Sequence, residues 1–142
     1  MPVIQWQKRE IENYLCFPSV LEDYAVHLAV DRSFGPLFES ADVARFRAVM
    51  RRCIAERVPP VALQNPADRW WHTVKASDDF LDPVFEAFFA ELKLPNLMRQ
   101  SDYHRLADLV PAALIDPEVS LALDKLVAVA TAAHPAGTVA ER

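Results

Sequence analysis

The segment that decides the fold is SADVARFRAVMRRCIAERVPP, which spans residues 40–60. Ser40 is a typical N-cap, and Pro59 and Pro60 end the pattern. Between them, apolar residues recur at the three- and four-residue spacing of one helix face. They are Val43, Phe46, Met50, Cys53 and Ile54. The segment therefore predicts an amphipathic helix that begins at Ser40 and ends before Pro59.

Proline and capping residues divide the rest of the chain in the same way. We expect a short strand over Val3–Gln7, where apolar and polar residues alternate. Further helices are predicted over residues 8–17, from residue 19 to the loop at 31–36, over 66–74, from 77, from 82 to Pro95, over 101–110 and over 116–133. The predicted fold is mainly α, a compact helical domain of about six helices with one short N-terminal β-strand.

Composition limits the function classes. The 142 residues carry a formal net charge of −5, which argues against a general nucleic-acid coat. Only two glycines occur, so a glycine-rich phosphate loop is excluded. The two cysteines are not arranged as a zinc site or a disulfide scaffold. No secretory signal and no apolar run of about 18 residues is present, so we expect a cytoplasmic protein without a membrane span.

Two acidic residues near the start of the chain, Glu10 and Glu12, are candidate metal ligands. Residues two apart do not share a face of a regular helix. At a junction between a strand and a helix, however, both carboxylates can converge on one Mg²⁺ ion. The alternative is that they lie in the first turn of a helix and offset its dipole.

The predicted central helix also carries basic residues. Arg45, Arg51 and Arg52 are candidates for contact with a nucleic-acid backbone. The alternative is that these arginines lie beside the apolar stripe and pair with surface acids.

Two stretches resemble a known group of proteins. WQKREIENYL at residues 6–15, followed by Pro18, resembles the R-x-I-E-N-Y-L-L segment of AAA/ABC-type ATPases that carry a Toprim nuclease module, the OLD (overcoming lysogenization defect) group. LPNLMRQSDYHRL at residues 94–106, continued by IDPEV at 115–119 and LDKL at 123–126, is similar to their helical C-terminal end. That end reads roughly K-S-x-Y-H-x-L, then I-x-x-E-V, then L-D-x-I.

The resemblance implies that the chain corresponds to the C-terminal portion of a larger ATPase. Residues 1–18 would be the end of a Toprim-like segment, 19–134 a helical C-terminal domain and 135–142 a flexible tail. Mg²⁺ and ATP are implied as cofactors of the parent protein. Glu10 and Glu12 match the acidic pair that helps hold a metal in nuclease-active relatives.

The resemblance also identifies a departure. The family nucleases use a lysine near the K-S-x-Y-H stretch, and this sequence has Gln100 there with Arg99 beside it. Glutamine carries no charge to stabilise a developing negative phosphate. Arg99 supplies a charge, although its planar fork differs from the point charge of a lysine. The resemblance therefore identifies Gln100 and Arg99 as the candidate catalytic residues and implies that cleavage there lacks the charge of the family lysine.

Three functions follow as hypotheses. The chain is a helical lobe that acts with the remainder of an ATPase/Toprim protein, and through it with DNA. Alternatively, it is a stand-alone helical module for protein–protein interaction, and a homodimer is one such assembly. The third is a DNA-binding adaptor that uses the arginine helix, which the acidic composition disfavours.

Overall fold

The computed structural model describes residues 11–119, 121 and 128, and this part of the protein is built from helices. The α-helices are α1 (Pro18–Arg32), α2 (Pro36–Ala55), α3 (Pro60–Gln64), α4 (Trp70–Thr73) and α5 (Asp82–Glu91). A π-helix spans Ala76–Leu81, and 3₁₀ helices span Ile11–Leu15, Gln100–Leu109 and Ala112–Leu114. The mainly α fold class is confirmed. The predicted strand at Val3–Gln7 lies outside the described residues.

Helix α2 is the helix predicted from residues 40–60. The residues of its predicted stripe from Phe46 onward are buried, and Val43 packs against the core. The helix begins one turn earlier than predicted, because Pro36 occupies its first position and Gly35 its N-cap. Proline is well tolerated there, since the first N–H groups of a helix have no partner within it. The Gly35 carbonyl accepts the amides of Phe38 and Glu39, both at 3.1 Å.

Aromatic side chains fill the space between the helices. Phe80, Phe85, Phe88 and Phe89 are each at most 1% exposed. The ring of Phe85 meets Tyr24 of α1 edge-on at 5.4 Å, and Phe88 meets Phe46 of α2 at 6.3 Å. Helices α1, α2 and α5 therefore share one core.

Two segments predicted as ordinary helices have other helix types. In 100–109 the buried side chains of Tyr103 and Leu106 and the half-buried Leu109 are three residues apart, and this spacing puts them on one side of a 3₁₀ helix. In the π-helix Ala76–Leu81, the neighbouring pairs 76–77 and 80–81 are buried. The 3₁₀ type of 100–109 thus agrees with the spacing of its buried residues.

Between α2 and the π-helix, the structure has two short helices where the sequence predicts one longer helix. The prediction covers residues 66–74, whereas α4 covers only Trp70–Thr73. Pro59 and Pro60, which end the preceding pattern, also begin α3. The indole nitrogen of Trp71 donates to the Ala62 carbonyl at 2.8 Å and so ties α4 to α3.

The described residues fall into two compact units, 11–110 and 111 onward. In the second unit, the predicted cap at Asp116 is present, because its Oδ1 accepts the amide of Glu118 at 2.8 Å. Residues 117–119 are helical, and most of the predicted last helix lies outside the described residues. Within the described part, no helix has the length and apolar character to cross a membrane.

Candidate functional site

Gln100 occupies the position where the resemblance leads us to expect a lysine, and its side chain binds two carboxylates. Its Nε2 donates to Asp78 Oδ1 at 3.0 Å and to Asp82 Oδ2 at 2.9 Å. The amide nitrogen carries two N–H donors, so each carboxylate receives one. Asp78 and Asp82 are four residues apart across the junction of the π-helix with α5, where side chains of that spacing are neighbours. The amide therefore bridges two like charges without adding a positive charge.

Tyr103 binds the second oxygen of Asp82. Its hydroxyl donates to Oδ1, and the residue is 1% exposed. Burial, together with the hydrogen bond to Asp82, raises the pKa of Tyr103 far above its ordinary value. The phenol therefore stays protonated and acts as a donor. We call the set Asp78, Asp82, Gln100 and Tyr103 the carboxylate network.

The carboxylate network borders a cleft of about 300 Å³. Its wall is formed by Asp82, Glu86, Asn96, Met98, Arg99, Gln100 and Tyr103. Outside the cleft lining, Lys75 approaches Asp78 at 3.1 Å, and this contact lowers the pKa of the Asp78 carboxyl. Both carboxylates of the network are therefore bound: Asp78 by Gln100 and Lys75, and Asp82 by Gln100 and Tyr103.

Arg99 and Gln100, the two residues predicted as a catalytic pair, do lie together on this cleft. The backbone of Arg99 caps the 3₁₀ helix Gln100–Leu109, because its amide donates to Asp102 Oδ2 at 3.2 Å. Its side chain is exposed. Arg99 can therefore offer a cation at the cleft, while Gln100 is engaged with the two aspartates.

Only one of the two candidate metal ligands lies among the described residues. Glu12 is half-buried in the 3₁₀ helix Ile11–Leu15, and Glu10 lies outside the described part. Within that part, no three His, Cys, Asp or Glu residues are grouped so that they hold a metal ion. Since one member of the pair lies outside the described residues, the Mg²⁺ site at Glu10 and Glu12 stays a prediction.

The residue of the E-N-Y-L motif with the clearest structural role is Asn13, which sequence reasoning did not single out. It is 2% exposed, and its Nδ2 donates to the carbonyls of Trp71 and Val74, both at 3.0 Å. These acceptors are 58 and 61 residues away in the chain. Asn13 therefore joins the N-terminal segment to the end of α4.

The three arginines predicted to contact nucleic acid lie on α2, and two of them pair with acids of neighbouring helices. Arg51 binds Glu22 of α1 at 2.7 Å. Arg52 binds Glu91 of α5, also at 2.7 Å. The guanidinium of Arg45 lies 5.9 Å from the centre of the Phe46 ring. Arg51 and Arg52 therefore pair with acids at the surface, which is the alternative to a nucleic-acid contact.

No protein-family model, no curated protein and no solved structure matches this chain. The relation to the OLD group therefore remains a resemblance of short sequence stretches. The carboxylate network and its cleft are the features on which a functional proposal can be built.

Proposed function

We propose that the chain is a helical module of an OLD-like ATPase with a Toprim nuclease module. It contributes to metal-dependent DNA processing, or to its regulation, only together with the N-terminal part of such a protein. The family assignment depends on the resemblance of residues 6–15 and 94–106, and the observation that best supports the second statement, that the chain does not act alone, is the state of Gln100. Its amide is occupied by Asp78 and Asp82, and so the position lacks the cation that the related nucleases use.

The carboxylate network has a structural use that explains its residue types. Asp82 is the first residue of α5, whereas Gln100 and Tyr103 belong to the 3₁₀ helix Gln100–Leu109. Hydrogen bonds from Gln100 and Tyr103 to one carboxylate hold these two elements together. Hydrogen bonds to a charged acceptor contribute about 1.5–3 kcal/mol each when well placed. In this proposal the network is a clamp, by which we mean that it holds α5 and the 3₁₀ helix Gln100–Leu109 together within the module.

DNA contact, in this proposal, depends on the rest of the parent protein. Exposed ion pairs such as Arg51–Glu22 contribute only about 0–1 kcal/mol, so a phosphate could replace the acid as the partner of the arginine. The net charge of −5 opposes binding to a polyanion. The arginines of α2 would thus add to a DNA surface formed elsewhere and would not form one alone.

A metal titration tests the role assigned to Glu12. We expect the purified chain to bind Mn²⁺ weakly, with the same affinity in the wild type and in Glu12→Gln, because one carboxylate lacks the further ligands that the parent would supply. Isothermal titration calorimetry measures both affinities. Glu86→Gln, which removes an exposed carboxylate from the cleft wall, is the matched control. A tight site that only Glu12→Gln abolishes would contradict the proposal.

A stand-alone protein-interaction module is the second candidate. The observation that favours it is a group of exposed apolar side chains between α1 and α2, where Phe34 is 96% exposed and Leu37 is 86% exposed. Large side chains of this kind at a surface often mark an interface. A docking module needs neither the metal nor ATP of the implied parent.

A further inference from the structure

The turn between α1 and α2 and the helix ends beside it carry exposed apolar side chains, which we call the apolar tip. It is formed by Val30, Phe34, Leu37 and Phe38, whose exposed fractions are 43%, 96%, 86% and 55%. Since a large aromatic side chain presents about 150–250 Å², the four residues together expose roughly 450 Å². This area is within the range of the largest apolar patch on a typical monomer, about 300–600 Å², where such patches are often functional.

The backbone holds the apolar tip in one conformation. Gly35 has a φ of 132°, a backbone conformation that residues other than glycine rarely adopt. The Ser33 hydroxyl donates to the Gly35 carbonyl at 3.0 Å and accepts the Gly35 amide at 3.4 Å. A surface fixed before binding loses little conformational entropy when a partner arrives. We therefore expect the backbone of this turn to lose little conformational entropy when a partner binds.

A groove lies beside the tip on the same helix. It has a volume of about 360 Å³ and is lined by Pro36, Glu39, Ser40, Val43, Ala44 and Arg47. The lining contains one acid and one base, and within the described part of the chain neither Glu39 nor Arg47 has an ion-pair partner. Projecting rings, a recess and both signs of charge thus occur on one surface.

We propose that a second copy of this chain docks on the apolar tip, with Phe34 of each copy entering the groove beside α2 of the other. A twofold interface requires one surface that is complementary to itself, and the tip with its groove provides the projection and the recess. The tips of two copies would bury about 900 Å² in total, which is the size of a weak, transient interface. Glu39 of each copy would face Arg47 of the other. This inference does not depend on the OLD-like function, and it makes the second candidate, an interaction module, specific by naming the partner.

The charges near the tip favour a protein partner over a membrane. Asp31 and Glu39 flank the exposed rings, and the only base between them is Arg32. Anionic lipid surfaces are recognised by clusters of Lys and Arg, which this segment lacks.

Sedimentation equilibrium of the full chain tests the proposal. We expect a monomer–dimer equilibrium in the wild type and a dissociation constant at least about tenfold higher in the double variant Phe34→Ser/Leu37→Ser, because burial of both side chains is lost. Val61→Ser is the matched control, since Val61 is a 66% exposed apolar residue on α3. Its dissociation constant should equal that of the wild type. Circular dichroism establishes that each variant is folded.

A charge exchange tests the orientation. Glu39→Arg and Arg47→Glu should each weaken self-association, and an equimolar mixture of the two variants should recover it, because the mixed dimer pairs opposite charges again. A wild-type chain that stays monomeric up to about 1 mM would overturn the proposal, as would a dimer that the tip variant leaves unchanged. Binding of the monomer to phosphatidylcholine/phosphatidylserine vesicles that is lost in the tip variant would also overturn it and assign the tip to a membrane.

Discussion

Replacing Asn13 with leucine is expected to lower the free energy of unfolding by about 3 kcal/mol. The substitution keeps the approximate size of the side chain but removes the donor that serves the carbonyls of Trp71 and Val74. A buried acceptor left without a hydrogen bond costs about 1–3 kcal/mol, and two are affected. Chemical denaturation of wild type and variant measures the difference.

The control for this prediction is the same substitution at an exposed asparagine. Asn65 accepts the Ala67 amide at 3.0 Å and is exposed. Because water can replace this hydrogen bond, Asn65→Leu should cost about 1 kcal/mol or less. An Asn13→Leu variant as stable as Asn65→Leu would show that the motif asparagine does not join the N-terminal segment to α4.

Replacing Tyr103 with phenylalanine is expected to destabilise the protein by about 2 kcal/mol. The ring and its stacking with Phe85, at a centroid distance of 5.8 Å, are kept. The hydroxyl that donates to Asp82 is lost, and a hydrogen bond to a charged group contributes about 1.5–3 kcal/mol. Thermal and urea denaturation both report the change.

Tyr24→Phe is the matched control, because Tyr24 also contacts the ring of Phe85, with the centroids 5.4 Å apart. Burial raises the pKa of Tyr24 to about 12, and no hydrogen bond of its hydroxyl occurs among the described residues. Removing that hydroxyl should cost less than about 0.5 kcal/mol. If Tyr103→Phe is no more destabilising than Tyr24→Phe, the carboxylate network is not the clamp that we propose.

The buried face of α2 could be predicted from sequence because it depends on local periodicity alone. Residues three and four apart share a face wherever a helix forms, so Phe46, Met50, Cys53 and Ile54 are identified without knowledge of their partners. The beginning of α2 lies one turn before the predicted one, because the prediction relied on Ser40 as a side-chain cap, whereas Gly35 and Pro36 begin the helix without one. The helix type of residues 100–109 was not predicted, because the three-residue spacing of Tyr103, Leu106 and Leu109 fits one face of an α-helix as well as one side of a 3₁₀ helix.

The carboxylate network could not be predicted, because its members meet only through the tertiary fold. Gln100 lies 22 residues from Asp78 and 18 from Asp82. The resemblance drew attention to Gln100 as a missing lysine, but its partners are set by the packing of α5 against the following 3₁₀ helix. Asn13 shows the same limitation, since a buried asparagine is recognised only when the carbonyls that it serves are known. Glu10 itself lies outside the described residues, so its role as a metal ligand stays a prediction.

The most direct test of the central claim is a turnover assay of the purified chain, with ATP and with linear and supercoiled DNA in the presence of Mg²⁺ or Mn²⁺. Our account predicts neither ATP hydrolysis nor DNA cleavage above a buffer control, because the chain lacks a phosphate loop and Gln100 supplies no cation. Gln100→Ala is assayed beside the wild type. ATP hydrolysis or cleavage by the wild type that is lost in Gln100→Ala would contradict the account and make the cleft an active site in its own right.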